Sequence, residues 1–257
     1  MTSETTTQTG PVATEPADEQ TANEIEKLSE LITRARVVLW DFDGPICRLF
    51  AGHKAERVAA GLVQWLAGRG LHGLLSDTES DTGHDSLDPH AVLRAVDRRH
   101  PGSDLVTELE ERLTQEELRA ATSALPTAYA DPLIRTWTAV GSRLAITTNN
   151  SPRVVRAYLD GRGLTGCFAP HIYGRTPDLH LLKPDPHCLN RALNAMGAAP
   201  SAAVMIGDSP SDLAAAQRAG VPFLGYARNG QKAKLLRAAG AGCVVGSLEP
   251  LLQVLRG

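Results

Sequence analysis

Residues 37–50 read VVLWDFDGPICRLF: four apolar residues run straight into Asp41 and Asp43, and the chain then turns at Gly44-Pro45. A short continuous apolar run suits a strand buried on both faces, as in a parallel sheet with helices on each side. Two like charges so close together are unfavourable unless something positive meets them. In extended backbone, positions 41 and 43 point to the same side, so both carboxylates can serve one pocket. The stretch therefore describes a central strand that ends in a polar site.

Working outward, the same pattern returns. RLAITTNN (143–150) and AAVMIGDSPSD (202–212) are apolar strands ending in small polar or acidic residues, followed by the helical segments VVRAYLDGRG and LAAAQRAG. VPFLGYA (221–227) and GCVVG (242–246) predict further short strands, with KAKLLRAAG between them as a helix closed by Gly240. Repeated strand-helix units predict an α/β fold with a doubly wound parallel sheet, a Rossmann-type core that binds ligands at the carboxyl ends of its strands.

Residues 52–130 differ. HKAERVAAGLVQWLAG, LDPHAVLRAVDRRH, SDLVTELEERL and TQEELRAATSAL each show helical periodicity with no strong strand between them. This predicts an inserted all-helical cap over residues 52–130, with the core formed by 23–51 and 131–257. The Gly/Ser/Asp-rich stretch LHGLLSDTESDTGHDSLD, inside the insertion, is a solvated connector or a substrate-facing loop. Residues 1–22, rich in Thr, Glu, Gln, Pro and Ala, bury too little apolar surface to offset their ordering entropy and are expected to be a disordered tail. From Asn23 on, Ile25, Leu28, Leu31 and Ile32 recur at helical spacing.

The chain has 257 residues, 42% hydrophobic and 4% aromatic, enough for one sizeable core and a satellite domain. A net charge of -3 offers no overall basic field, so nucleic acid is not an expected partner. No apolar run reaches the roughly 18–20 residues that span a bilayer, and the acidic, Thr-rich start is unlike a secretory signal. Cys47, Cys167, Cys188 and Cys243 are scattered without CxxC spacing, which points to reduced, buried thiols. The expectation is a cytoplasmic protein, monomer or homodimer, with no membrane partner.

Taken in order and approximate spacing, DFDGPI, the strand ending in TTN, LLKPDP and MIGDSPSD resemble the four motifs of the haloacid dehalogenase-like (HAD) hydrolase superfamily. The resemblance runs from about residue 36 to the C-terminus, within the phosphatase branch that carries a helical C1-type cap (phosphoglycolate phosphatase-like). It implies that Asp41 is a nucleophile, Asp43 a general acid/base, Thr148 the hydroxyl of the second motif and Lys183 the cation of the third. It further implies Mg²⁺ held by Asp41, Asp208 and the main-chain carbonyl of Asp43, with Asp212 supporting the metal, and substrate or phosphate contacts at Gly44, Asn149 and Arg48. The implied reaction is Mg²⁺-dependent hydrolysis of a small phosphorylated metabolite through an aspartyl phosphate. A phosphomutase on the same core and a catalytically idle binding protein are the alternatives.

Each role has a physical reason. A carboxylate nucleophile divides one difficult displacement into two easier ones. Bringing it to a dianionic phosphate requires cations, which Lys183 and a hard oxygen-bound Mg²⁺ supply. An acid at position 43 suits an alkoxide leaving group, which needs a proton. Pro45 departs from the superfamily pattern, where Thr is more common, and a change confined to the turn is expected. Singly, each motif has a plainer reading: Asp-Gly as a turn, GDSPSD as a helix cap, Lys183 as a loop charge. Of the rest, His53 is a surface residue or a substrate contact, His72 and His84 are loop histidines, and Cys47 is a packed thiol. Arg228, Asn229 and Lys232 belong to a helix-start loop.

Overall fold

A computed structural model describes residues 17–72 and 88–256. In chain order the elements are α1 (Ala17–Arg34), β1 (Val37–Trp40), β2 (Cys47–Arg48), α2 (Ala55–Ala67), α3 (Pro89–Arg99), α4 (Asp104–Ala121), β3 (Leu125–Pro126) and α5 (Ala130–Ala139). They continue with β4 (Arg143–Thr147), α6 (Pro152–Arg162), α7 (Thr165–Phe168), β5 (Ile172–Tyr173), α8 (His187–Met196), β6 (Ala203–Gly207), α9 (Pro210–Ala219), β7 (Phe223–Tyr226), α10 (Gly230–Ala238), β8 (Val244–Val245) and α11 (Glu249–Arg256).

Six strands form a parallel sheet in the order β5-β4-β1-β6-β7-β8. β1 is central because all four of its side chains are apolar and alternate between two cores. Val38 and Trp40 face a cluster with Ile146, Val204, Ile206, Trp137 and Leu251, whereas Val37 and Leu39 face one with Met205, Leu189, Leu193 and Ala216. The chain passes from β1 to β4 on one side and returns to β6 on the other, so the switch point lies at β1. Trp40 stands level with Ile146 of β4 and Ile206 of β6, which brings Asp41, Thr147 and Gly207 to the same height at the carboxyl ends.

Between β1 and β4 the chain departs. β2 and β3 pair antiparallel, Cys47 with Pro126 and Arg48 with Leu125, and close the base from which α2, α3 and α4 rise. These helices share their own apolar cluster, including Leu62, Leu66, Leu93, Val96, Leu109 and Leu113, which Leu179 and Leu182 join from the segment before α8. The two helices expected over 103–125 are one helix, α4: no Gly or Pro interrupts Asp104–Ala121, and the buried face continues through Val106, Leu109, Leu113, Glu117 and Ala120. α1 begins at Ala17 rather than Asn23, within the expected tail; residues 1–16 and 73–87, His84 among them, lie outside the described residues. Among those described, no helix is long and apolar enough to cross a membrane.

The two-sided burial of β1 has a measurable consequence. Leu39→Ala removes a fully buried side chain and should cost about 2–5 kcal/mol. Leu235→Ala, at a position 49% exposed, should stay within about 0.5 kcal/mol of wild type. Urea unfolding of both variants tests the assignment; comparable losses would place Leu39 outside the core.

Candidate active site

Asp41 follows directly on β1 and Asp208 directly on β6, the neighbouring strand. Asp212 stands one turn into α9. One oxygen from each of these three buried carboxylates lies within 4.8 Å of the others. Such a cluster repels itself, and the buried Lys183 ammonium answers it. Its Nζ donates to Asp41 Oδ1 (2.7 Å) and to the Thr147 carbonyl (2.9 Å), and stands 2.5 Å from Asp212 Oδ1. All three of its hydrogens have acceptors. Burial alone would lower the Lys183 ammonium, but Asp212 and Asp41 outweigh it and hold it above the usual lysine range.

The carboxylates are less well compensated than the lysine. Burial, with the Asp212 charge behind it, pushes Asp41 up to about 7 despite Lys183. Burial likewise raises Asp208 to about 6, against the pull of Lys232, whose Nζ is bonded to Asp208 Oδ2. Asp43 is raised to about 6 by burial, offset in part by the Leu49 N–H that donates to its Oδ1 (2.8 Å).

Local structure sets these positions. Asp212 closes a capping box at the start of α9: its Oδ2 accepts from the Asp208 N–H (3.1 Å), the Ser209 N–H (3.1 Å) and the Ser209 hydroxyl (2.7 Å), while the Ser209 hydroxyl accepts from the Asp212 N–H. Both oxygens of Asp212 are thereby engaged. Gly44 adopts φ +121°, and a β-carbon there would fall 2.2 Å from Asp208 Oδ2, so only glycine lets the turn pass beneath Asp208. A hydroxyl does reach this turn beside Pro45, but from Thr127, which donates to the Gly44 carbonyl at 2.6 Å.

After β4, Thr147 turns its hydroxyl to the Met205 sulfur, while the Thr148 hydroxyl bonds Asn150. The Asn149 carboxamide spans the main chain of Lys183, donating to its carbonyl (3.2 Å) and accepting from its N–H (2.8 Å). The Asn149 side chain, expected on phosphate, is thus committed to holding the lysine loop.

A second charged cluster ties the inserted helices to this same turn. Glu117 of α4, fully buried, accepts from Asn150 Nδ2 (3.0 Å), the Ser151 N–H (3.1 Å) and both terminal nitrogens of Arg175 (2.9 and 3.1 Å). Arg175 also donates to Glu110, Thr114 and the Asn149 carbonyl. Its Nη1 hydrogens are spent on Glu117 and Asn149, so His90 Nε2, 3.3 Å from both Nη1 and Glu117 Oε1, donates to Glu117. Burial would raise Glu117, but Arg175 and His90 outweigh it and hold the carboxyl down at about 2. Burial would lower His90, but Asp88 and Glu117 outweigh it and lift the imidazole to about 9.

Sequence reasoning missed His90, Glu117 and Arg175, which no motif marks. Lys232, expected in a helix-start loop, lies instead within the first turn of α10 and partners Asp208. Asn229 caps α10, accepting from the Lys232 N–H (2.9 Å). Arg48 is exposed on β2, and His53 is turned to Glu116 (2.7 Å) on α4. Cys47 is packed, its thiol pushed up by burial and by Asp43 and Asp41, and exposed His72 lies beyond the end of α2. Asp43, Gly44 and Asp208 open into a cleft of about 420 Å³. A larger hollow of about 800 Å³, bounded by Arg36, Arg143 and Ala202, lies at the opposite, amino ends of the strands.

Residues 35–220 match the family model of the haloacid dehalogenase-like hydrolases. The chain is 39% identical over 113 residues to a phosphoglycolate phosphatase of Rhodospirillum rubrum, covering 42% of this chain and 45% of that protein. It is 39% identical over 82 residues to a phosphoserine phosphatase of Thermus thermophilus, covering 32% of each. The matches span less than half the length of these curated relatives. In structure the chain is similar to a predicted phosphoglycolate phosphatase from Haemophilus somnus, with a TM-score of 0.60 and 16% identity, over 86% of this chain and 98% of the other.

The Glu117 cluster should contribute to how stability depends on pH, alongside the raised carboxylates of the site. Glu117, lowered from 4.5, contributes above about 4.5 and loses that contribution as pH falls toward 2. His90, raised from 6.5, contributes fully below about 6.5 and loses it as pH rises through 9. Thermal unfolding should therefore show Tm declining between pH 6.5 and 9, by about 2–4 °C per kcal/mol lost. The decline should flatten in His90→Asn; an equally steep decline there removes His90 from the account. Glu117→Gln should cost about 3–5 kcal/mol, since it leaves Arg175 buried without its counter-charge.

Proposed function

Because the chain belongs to the haloacid dehalogenase-like hydrolases, we propose that it is a Mg²⁺-dependent phosphatase that hydrolyses a small phosphorylated metabolite through a phosphorylated Asp41. The observation that carries this reading is the meeting of Asp41, Asp208 and Asp212 around the Lys183 ammonium at the switch point of the sheet. A phosphoglycolate phosphatase and a phosphoserine phosphatase among the relatives support it. The free thiols of Cys47, Cys167 and Cys188 suit the reducing cytoplasm.

The donor set fits a hard divalent cation: three buried carboxylates, all oxygen, with Asp41 and Asp208 raised by burial and by neighbouring carboxylate charge that the two lysines do not fully offset. Asp41, Asp208 and the Asp43 carbonyl would hold the ion, while Asp212, both of whose oxygens are engaged, orients Lys183 and the Asp208 main chain. When bound, Mg²⁺ supplies positive charge to the phosphate oxygens and lowers the repulsion met by an anionic nucleophile.

Lys183 holds Asp41 by Oδ1, leaving Oδ2 to attack phosphorus. The new bond joins Oδ2 to phosphorus as the ester P–O bond breaks. Asp43, held by Leu49 through Oδ1, gives a proton from Oδ2 to the departing oxygen and then takes one from the water that hydrolyses the acyl phosphate. In the turn after β4 the N–H groups of Thr148, Asn150 and Ser151 are spent on Tyr173, Thr148 and Glu117, so the Asn149 N–H would be the one to hold the phosphate in line.

Single-turnover reactions quenched in acid and read by intact-protein mass spectrometry test this reading. Asp41→Asn should form no phosphoenzyme and release no phosphate. Asp43→Asn should accumulate phosphoenzyme with p-nitrophenyl phosphate, which leaves unaided, but not with an alkyl phosphate, for which turnover should fall about 10²–10⁴-fold. Equal phosphoenzyme from both esters would overturn the role of Asp43, and Mg²⁺-independent turnover by Asp41→Asn would overturn the whole reading.

A further inference from the structure

The outer part of the cleft is cationic in a way that phosphate chemistry does not use. Its walls carry Arg48 on β2, Lys54 just before α2, and Arg228 and Lys232 at the β7–α10 junction, against the acids Asp43, Glu56 and Asp208. Lys232 is bonded to Asp208, and Asp43 is held by Leu49. Among the described residues, Arg48, Lys54 and Arg228 make no side-chain hydrogen bond or ion pair. All three are exposed, whereas Gly44 and Asp208 at the inner end are buried. The charges of Arg228, Arg48 and Lys232 all bear on the phenol of Tyr226, the last residue of β7, so they are gathered at one place.

At the inner end, Lys183, Lys232 and a bound divalent ion would all be engaged by Asp41, Asp208, Asp212 and the incoming phosphate. At the outer end three cations face the single acid Glu56. A concave, low-dielectric wall focuses such a surplus onto whatever occupies the cleft. The volume of about 420 Å³ is that of a site for a small molecule.

We propose that Arg48, Lys54 and Arg228 form a subsite for a second anionic group of the substrate, a carboxylate or a second phosphate a few atoms from the phosphate ester. The inference rests on the phosphatase reading and narrows its substrates from phosphorylated metabolites in general to phosphorylated acids. It moves Arg48 from the transferred phosphate to the far end of the molecule. A neutral sugar or alcohol in the leaving group would leave all three cations unmatched, whereas an anion gains charge-assisted, forked contacts from the two arginines.

Non-hydrolysable phosphonates separate the two ends without turnover. Calorimetry on the Mg²⁺-loaded full chain would compare propylphosphonate, 3-phosphonopropionate and ethane-1,2-diphosphonate. Wild type should bind one or both of the probes with a second anionic group about tenfold or more tightly than propylphosphonate, and the stronger of the two tells carboxylate from phosphate. In Arg228→Gln and Arg48→Gln that preference should fall below about threefold, with propylphosphonate affinity little changed. Equal affinity of wild type for all three probes overturns the subsite while leaving the phosphatase reading intact. Binding of none of them overturns the phosphatase reading and the subsite with it. The wild-type comparison decides the matter even where a variant melts early.

Discussion

Three carboxylates within 4.8 Å of one another, all buried, cannot coexist unless positive charge is built in among them, and the Lys183 ammonium is that charge. The rest of the site is arranged around this requirement. β1 and β6 must be neighbours in register for Asp41 and Asp208 to meet. Asp212 must start α9 so that one oxygen caps the helix while the other receives Lys183. The lysine must arrive from a segment far along the chain, and its main chain is held by the Asn149 side chain. A buried ion cluster of this kind is weak support for stability in general, since desolvation offsets much of the attraction, but loss of any single partner strands the others. That makes it a device for fixing positions.

The turn after β4 joins this cluster to the second one. Asn149 reaches Lys183 with its side chain and Arg175 with its carbonyl; Asn150 and Ser151 are held by Glu117 of α4. The inserted helices are therefore bonded to the turn after β4 through side chains with no exposure, in addition to the apolar contacts of Leu179 and Leu182. Any movement of the insertion against the sheet has to break these contacts or spare α4. The β2–β3 pair at the base gives the chain a short, defined exit and return.

Much of the fold was legible from residues 37–50 and the two later strand ends, because burial on both faces demands continuous apolar runs and the strand ends demand polar ones. Asp41 and Asp208 stood out for the same reason, at strand ends, whereas Asp212 and Lys183 were reached only through the resemblance of their motifs to those of the superfamily. Helix α4 was misread as two because periodicity alone does not show where a helix stops when neither Gly nor Pro marks it. The short strands β2, β3 and β5, two residues each, carry no pattern long enough to see.

By itself the sequence determined the sheet type, the helical insertion and the acidic strand ends, since these follow from local apolar periodicity and from backbone geometry that acts over a few residues. Only the tertiary structure decided which charges meet. Glu117 is an ordinary polar residue in a charged stretch of helix, QEELR; it becomes a buried carboxylate because Arg175 and His90 come from segments distant in the chain. Lys232 bonds Asp208 because β7 lies beside β6, and Arg48, Lys54 and Arg228 share one cleft because β2, α2 and the β7–α10 loop converge there. Electrostatic interactions depend on distance and burial, and neither is a property of a residue type or of its spacing along the chain.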